Sequence, residues 1–113
     1  MRDGLYLYST GPSDRRDAVG TAIVVGTRIY GQSEGQVFSG QLSRTPAGVS
    51  GFSKLVYELE VGPAGSEYLI KFEGEIVDNG ARLRCVPNDV AEEAYYADLV
   101  LVSTESVSYT HLT

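Results

Sequence analysis

Apolar residues recur at every second position along this chain in short runs, and glycine-rich breaks divide each run from the next. A period of two belongs to β-strands, whose successive side chains point to opposite faces. The pattern predicts eight strands, over Gly4–Ser9, Gly20–Val25, Arg28–Gly31, Gln36–Leu42, Lys54–Val61, Glu67–Ile76, Arg82–Val86 and Tyr95–Ser103. The sixth is the plainest. Its Glu67, Lys71, Glu73 and Glu75 fall on one face, while Tyr68, Ile70, Phe72 and Ile76 fall on the other. Lys54, Glu58 and Glu60 likewise oppose Leu55, Tyr57, Leu59 and Val61. Arg82 and Arg84 oppose Leu83 and Cys85, and Asp98 opposes Tyr95, Ala97, Leu99 and Leu101. Four strands thus agree on one wet face and one buried interior.

Turn chemistry separates these runs. Asp78-Asn79-Gly80 reads as a tight hairpin, because Asn-Gly accepts the positive φ that such turns require. Gly62-Pro63-Ala64-Gly65 and Gly26-Thr27 read as further turns, and Thr10–Val19 and Ser43–Ser53 as the two longer connections. One helical turn is expected at Asp89-Val90-Ala91-Glu92, where Asp89 and Glu92 have capping-box spacing. Hairpins in succession make a meander, and eight antiparallel strands most naturally close into a barrel. The expected fold is all-β, one barrel domain over residues 1–106.

Composition narrows the function. The chain has 113 residues and a net charge of −6 carried by scattered acids, which argues against a nucleic-acid binder. Met1-Arg2-Asp3-Gly4-Leu5 opens no signal peptide, and no apolar stretch approaches the roughly 18 residues of a membrane span. Cys85 stands alone and cannot form an internal disulfide, so a cytoplasmic location is expected. Its place between Arg84 and Val86 suits a small buried hydrophobe better than a reactive thiol. The final Val107-Ser108-Tyr109-Thr110-His111-Leu112-Thr113 matches a translated transposon-end sequencing adapter, as a metagenomic contig ending near Ser106 would carry. On that reading His111, the single histidine, is not native. No Ser-His triad, Cys-His pair or histidine metal site is then expected.

No other catalytic constellation stands out. Glu73 and Glu75 read as a solvated strand face, as Glu92 and Glu93 read as a solvated loop. Asp14-Arg15-Arg16-Asp17 reads as a self-neutralising loop cluster. Gly26, Gly31 and Gly35 lack the Lys-Ser/Thr ending and the strand-to-helix setting of a phosphate loop. The sequence therefore predicts a non-enzymatic chain without cofactor or metal.

Several segments together carry a family resemblance. Met1-Arg2-Asp3-Gly4-Leu5-Tyr6 resembles the start of the GrlR-type proteins, negative regulators of type III secretion. Gly20-Thr21-Ala22-Ile23-Val24-Val25 with Ile29-Tyr30-Gly31 resembles their second and third strands, and Val37-Phe38-Ser39-Gly40 stands where their Tyr-x-Gly strand does. Tyr68-Leu69-Ile70-Lys71-Phe72-Glu73-Gly74 is similar to their alternating strand that ends in glycine, so the likeness runs from about Asp3 to Val102. The resemblance implies an eight-stranded antiparallel lipocalin-like meander barrel, a homodimer, and a regulator that captures a transcription activator through an acidic motif. The family's Gly-Gly-Asp turn is Gly31-Gln32-Ser33 here. Ser43-Arg44-Thr45-Pro46-Ala47 occupies the place of the acidic motif without an acidic run.

Two functions follow as expectations. The first is a regulatory module acting on a protein partner. The second is a barrel for a small apolar ligand, with Tyr6, Tyr8, Phe38, Leu55, Tyr57, Tyr68, Ile70, Phe72, Leu83, Tyr95 and Leu99 as candidate interior lining. A third reading, a β domain from a viral structure, rests on the Gly- and Tyr-rich composition alone.

Overall fold

In a computed structural model the chain is an eight-stranded antiparallel barrel. The described residues are 1–33, 36–46, 48–57 and 67–104, with the backbone alone at 54–57 and 67–68. In chain order the strands are β1 (Gly4–Gly11), β2 (Ala18–Val25), β3 (Arg28–Ser33), β4 (Gln36–Arg44), β5 (Gly48–Tyr57), β6 (Glu67–Val77), β7 (Gly80–Pro87) and β8 (Tyr95–Ser103). Each strand pairs with the next, and β1 returns to pair with β8, which closes the sheet on itself.

The alternation works as the physics of a closed sheet requires, since one parity must fill the interior. Tyr6, Ala22, Val24, Ile29, Phe38, Leu42 and Val49 supply one half of the core, and Ile70, Phe72, Ala81, Leu83, Cys85, Ala97 and Leu99 the other. Two glycines make room for rings within it. Gly31 lies opposite Phe38, and Gly51 opposite Phe72. A methyl group at Gly31 would stand 2.2 Å from the Phe38 ring, and one at Gly51 2.8 Å from Phe72. Phenyl rings laid over bare backbone help a small barrel fill its middle.

The two ends differ. At one, tight turns close the barrel. Gly26, at φ 61°, opens the two-residue turn between β2 and β3. Asp3 Oδ1 accepts from the Gly26 amide at 3.0 Å and from Arg44 Nη2 at 2.9 Å, while Arg44 Nη1 donates to the Gly26 carbonyl at 2.5 Å. The same end carries Tyr6, whose hydroxyl donates to the Arg2 carbonyl. At the other end run the longer connections, including 12–17 between β1 and β2 and 88–94 between β7 and β8. That end is the mouth.

Several expectations need correction. Ser43–Ser53 is not a loop, because β4 continues to Arg44 and β5 begins at Gly48, paired with β6 from its first residue. Small residues there hide the alternation, yet the backbone ladder needs no side-chain signal. The capping box does not form. The turn is a 3-10 helix at Ala91–Glu93 whose N-cap is Val90, with no side-chain cap, and Asp89 instead stands 3.4 Å from Lys71 Nζ. In the β6–β7 hairpin the positive φ belongs to Asp78, at 49°, and Gly80 already lies in the strand. Ile76 has the inward parity but sits exposed at the end of β6. Residues 58–66, with the predicted Gly62-Pro63-Ala64-Gly65 turn, and 105–113, with His111, lie outside the described residues.

Candidate functional site

Two regions differ from an ordinary barrel surface. The first is the mouth. A pocket of about 630 Å³ opens there, within the range of small-molecule sites. Its floor is aromatic, with Tyr8 and Phe38 in tilted contact at 4.9 Å between ring centroids and Tyr95 beside them. Ile70, Pro12, Pro87 and Ala94 add apolar wall, and Thr10, Gln36, Asp17 and Glu93 give the rim its polarity. Below this floor the barrel is packed. A void among the described residues, between Ile29, Phe72, Leu83 and Leu99, measures about 20 Å³, room for about one water molecule.

Three weak acids meet at that floor. The Tyr95 hydroxyl bonds both Tyr8 and Cys85, which stand on the two strands that flank β8. Burial pushes the Cys85 thiol from its ordinary 9.0 up to about 12, and the Tyr95 hydrogen bond pulls it only partly back. Burial also raises the Tyr8 phenol, with Tyr95 and Cys85 adding to the shift. Desolvation is the largest cause at both residues, so both groups are held neutral. Cys85 is therefore a buried, packed thiol.

The candidate lining divides by place. Tyr6, Phe38, Ile70, Phe72, Leu83 and Leu99 are core residues, and Tyr8 and Tyr95 are half-buried at the mouth. The side chains of Leu55, Tyr57 and Tyr68 lie outside the described residues. Tyr6 does not join the mouth tyrosines, since it serves the opposite, closed end.

The second region is the outer wall. On β6 and β7 the outward positions include paired charges, with Glu73 in register with Arg84 and Glu75 with Arg82, beside an exposed Leu69. Across β1 and β2 the outward positions carry no charge and are mostly apolar, and Val100 and Val102 of β8 and Tyr30 of β3 flank them, with Asp98 and Arg28 at the margins. Leu7 faces Val100, and Leu5, Ile23 and Tyr30 form one cross-strand row. A register shift between Leu5 and Tyr6 leaves Val102 bulged beside them. Leu7, Tyr30, Val100 and Val102 are 45 to 61% exposed. No charged residue stands at the outward positions of β1 or β2, which are Leu5, Leu7, Ser9, Val19, Thr21, Ile23 and Val25.

The charged loop between β1 and β2 borders this wall. Arg15 pairs with Asp14 and Asp17, as a self-neutralising cluster should. Arg16 does not join them. It reaches Asp98 on β8 at 2.9 Å, lies 5.9 Å over the Tyr96 ring, and donates to the Pro12 carbonyl. Asp98 also takes Arg82 at 3.1 Å, so one carboxylate ties the loop, β7 and β8 together.

No group of three potential metal ligands occurs among the described residues, and no helix there is long and apolar enough to cross a membrane. No model of a known protein family matches the chain, and no curated protein matches its sequence.

Proposed function

We propose that this chain is a non-enzymatic binding domain of the cytoplasm that docks a protein through its β8–β1–β2–β3 wall. The observation that carries the reading is the exposed apolar strip centred on β1 and β2, which carries no charge and is flanked by Val100, Val102 and Tyr30. Contiguous exposed apolar surface of this kind marks interaction sites, whose centres are depleted of charge. The wall is the outside of a barrel, so its natural complement is another protein surface and not a small molecule.

A second copy is the first occupant to test. Two chains of net charge −6 repel, but the β1–β2 strip at the centre of the contact brings no charge of its own. A heterologous partner on the same wall is the other occupant, and the GrlR-type resemblance gives its class as a transcription activator.

Sedimentation velocity over a range of micromolar concentrations tests the reading, with Val100→Asp and Leu7→Asp as variants. The expected result is a dimer that either substitution dissociates while the melting temperature holds, because both side chains point outward. A chain that stays monomeric, and whose wall variants recover the same proteins from a host lysate as the native chain, would overturn it.

A further inference from the structure

We infer that the mouth pocket is a binding site for a small aromatic or alicyclic amine, a role separate from the protein-docking wall and resting on different residues. The pocket has the volume for such a molecule, about 630 Å³, whereas the barrel below is filled. A ligand must therefore stop at the floor that Tyr8, Phe38 and Tyr95 provide. Aromatic faces hold a flat apolar body, and their negative π-clouds favour a cation over an anion.

The rim makes the same choice by charge. Asp17 and Glu93 border the pocket, and no lysine or arginine lines it among the described residues. Asp17 shares its charge with Arg15 at 2.9 Å, while Glu93 has no ion-pair partner among the described residues. Glu93 is thus the carboxylate left to meet an ammonium group. The floor hydroxyls add no charge, since desolvation and the bond to Tyr95 hold the half-buried Tyr8 neutral. A carboxylate ligand would bring like charge to the rim and find no cation to receive it.

Amide-resolved NMR titration of the full chain separates these cases, with tryptamine as the cationic probe and indole-3-propionate as an anion on the same ring. Saturable shifts with tryptamine are expected at Thr10, Ala18, Phe38 and Tyr95, with a Kd near or below about 1 mM for so small a ligand. The anion should bind more weakly by about fivefold or more, and Glu93→Gln should weaken tryptamine by about fivefold, the scale of one exposed ion pair. Glu93 is exposed on a short turn, so this variant keeps its fold. Three results would overturn the inference: no saturation at the mouth amides, equal binding of the anion, or a Glu93→Gln chain that binds tryptamine as tightly as the native one.

Discussion

Cys85 shows how one side chain can set a stability limit for the whole barrel. Its thiol is buried and its folded value, about 12, lies above the ordinary 9.0. The neutral form is the one the fold accepts, so its contribution is complete below pH 9.0 and is lost as pH rises toward 12. Tyr8, raised in the same direction, extends the loss upward. Urea unfolding should therefore show a fall of about 2 kcal/mol between pH 9 and 10.5 beyond any general alkaline effect, and Cys85→Ala should flatten that slope. In native protein at pH 8 the thiol should react with a disulfide reagent only at the rate of global unfolding. Gly31 sets a different limit, one of space. Gly31→Ala drives a methyl into the Phe38 ring, and a loss of about 1–3 kcal/mol in the same assay is the expected outcome.

At the scale of elements, Asp98 decides how firmly the β1–β2 loop is held. Arg16 and Asp98 are both mostly shielded, with 18 and 25% of their side chains exposed, whereas Arg82 is 56% exposed. Asp98→Asn leaves the Arg16 guanidinium without its counter-charge, so thermal melts should register a cost of about 1–3 kcal/mol. Arg82→Ala should cost less than about 1 kcal/mol. The sequence alone places Arg16 in a closed loop cluster, because no local pattern tells which of two adjacent arginines will reach a strand more than 80 positions away. Strands whose faces differ in polarity were legible: β6 and β8 stand where their alternation puts them, and β8 has the predicted bounds. The start of β5 was not, since Gly48-Val49-Ser50-Gly51 carries too little side chain to show a face. The mouth was only partly legible. Tyr8, Phe38 and Tyr95 were visible as inward residues, but their meeting depends on the stagger of the strands around the barrel. The outer wall does carry a signal in the chain itself. Leu5-Tyr6-Leu7-Tyr8 and Leu99-Val100-Leu101-Val102 are apolar at both parities, the pattern of a strand covered on both faces.

For the whole molecule, the barrel divides its labour by direction: a packed core, one stapled end, one open end, and an outer wall whose β1–β2 face carries no charge while its β6–β7 face carries paired ones. The mouth and the apolar wall share no residue that carries either proposal, so a wall variant such as Val100→Asp should leave tryptamine binding at the mouth intact, and the two readings can fail separately. Closure of β1 onto β8 also constrains the manner of recognition. The backbone amides and carbonyls of every strand are engaged by neighbours on both sides through most of their length, which leaves no sheet edge for an incoming peptide to extend as an added strand. An unfolded or extended segment therefore has nothing here to copy. Whatever protein binds must arrive with its own shape already formed and be read through side chains alone.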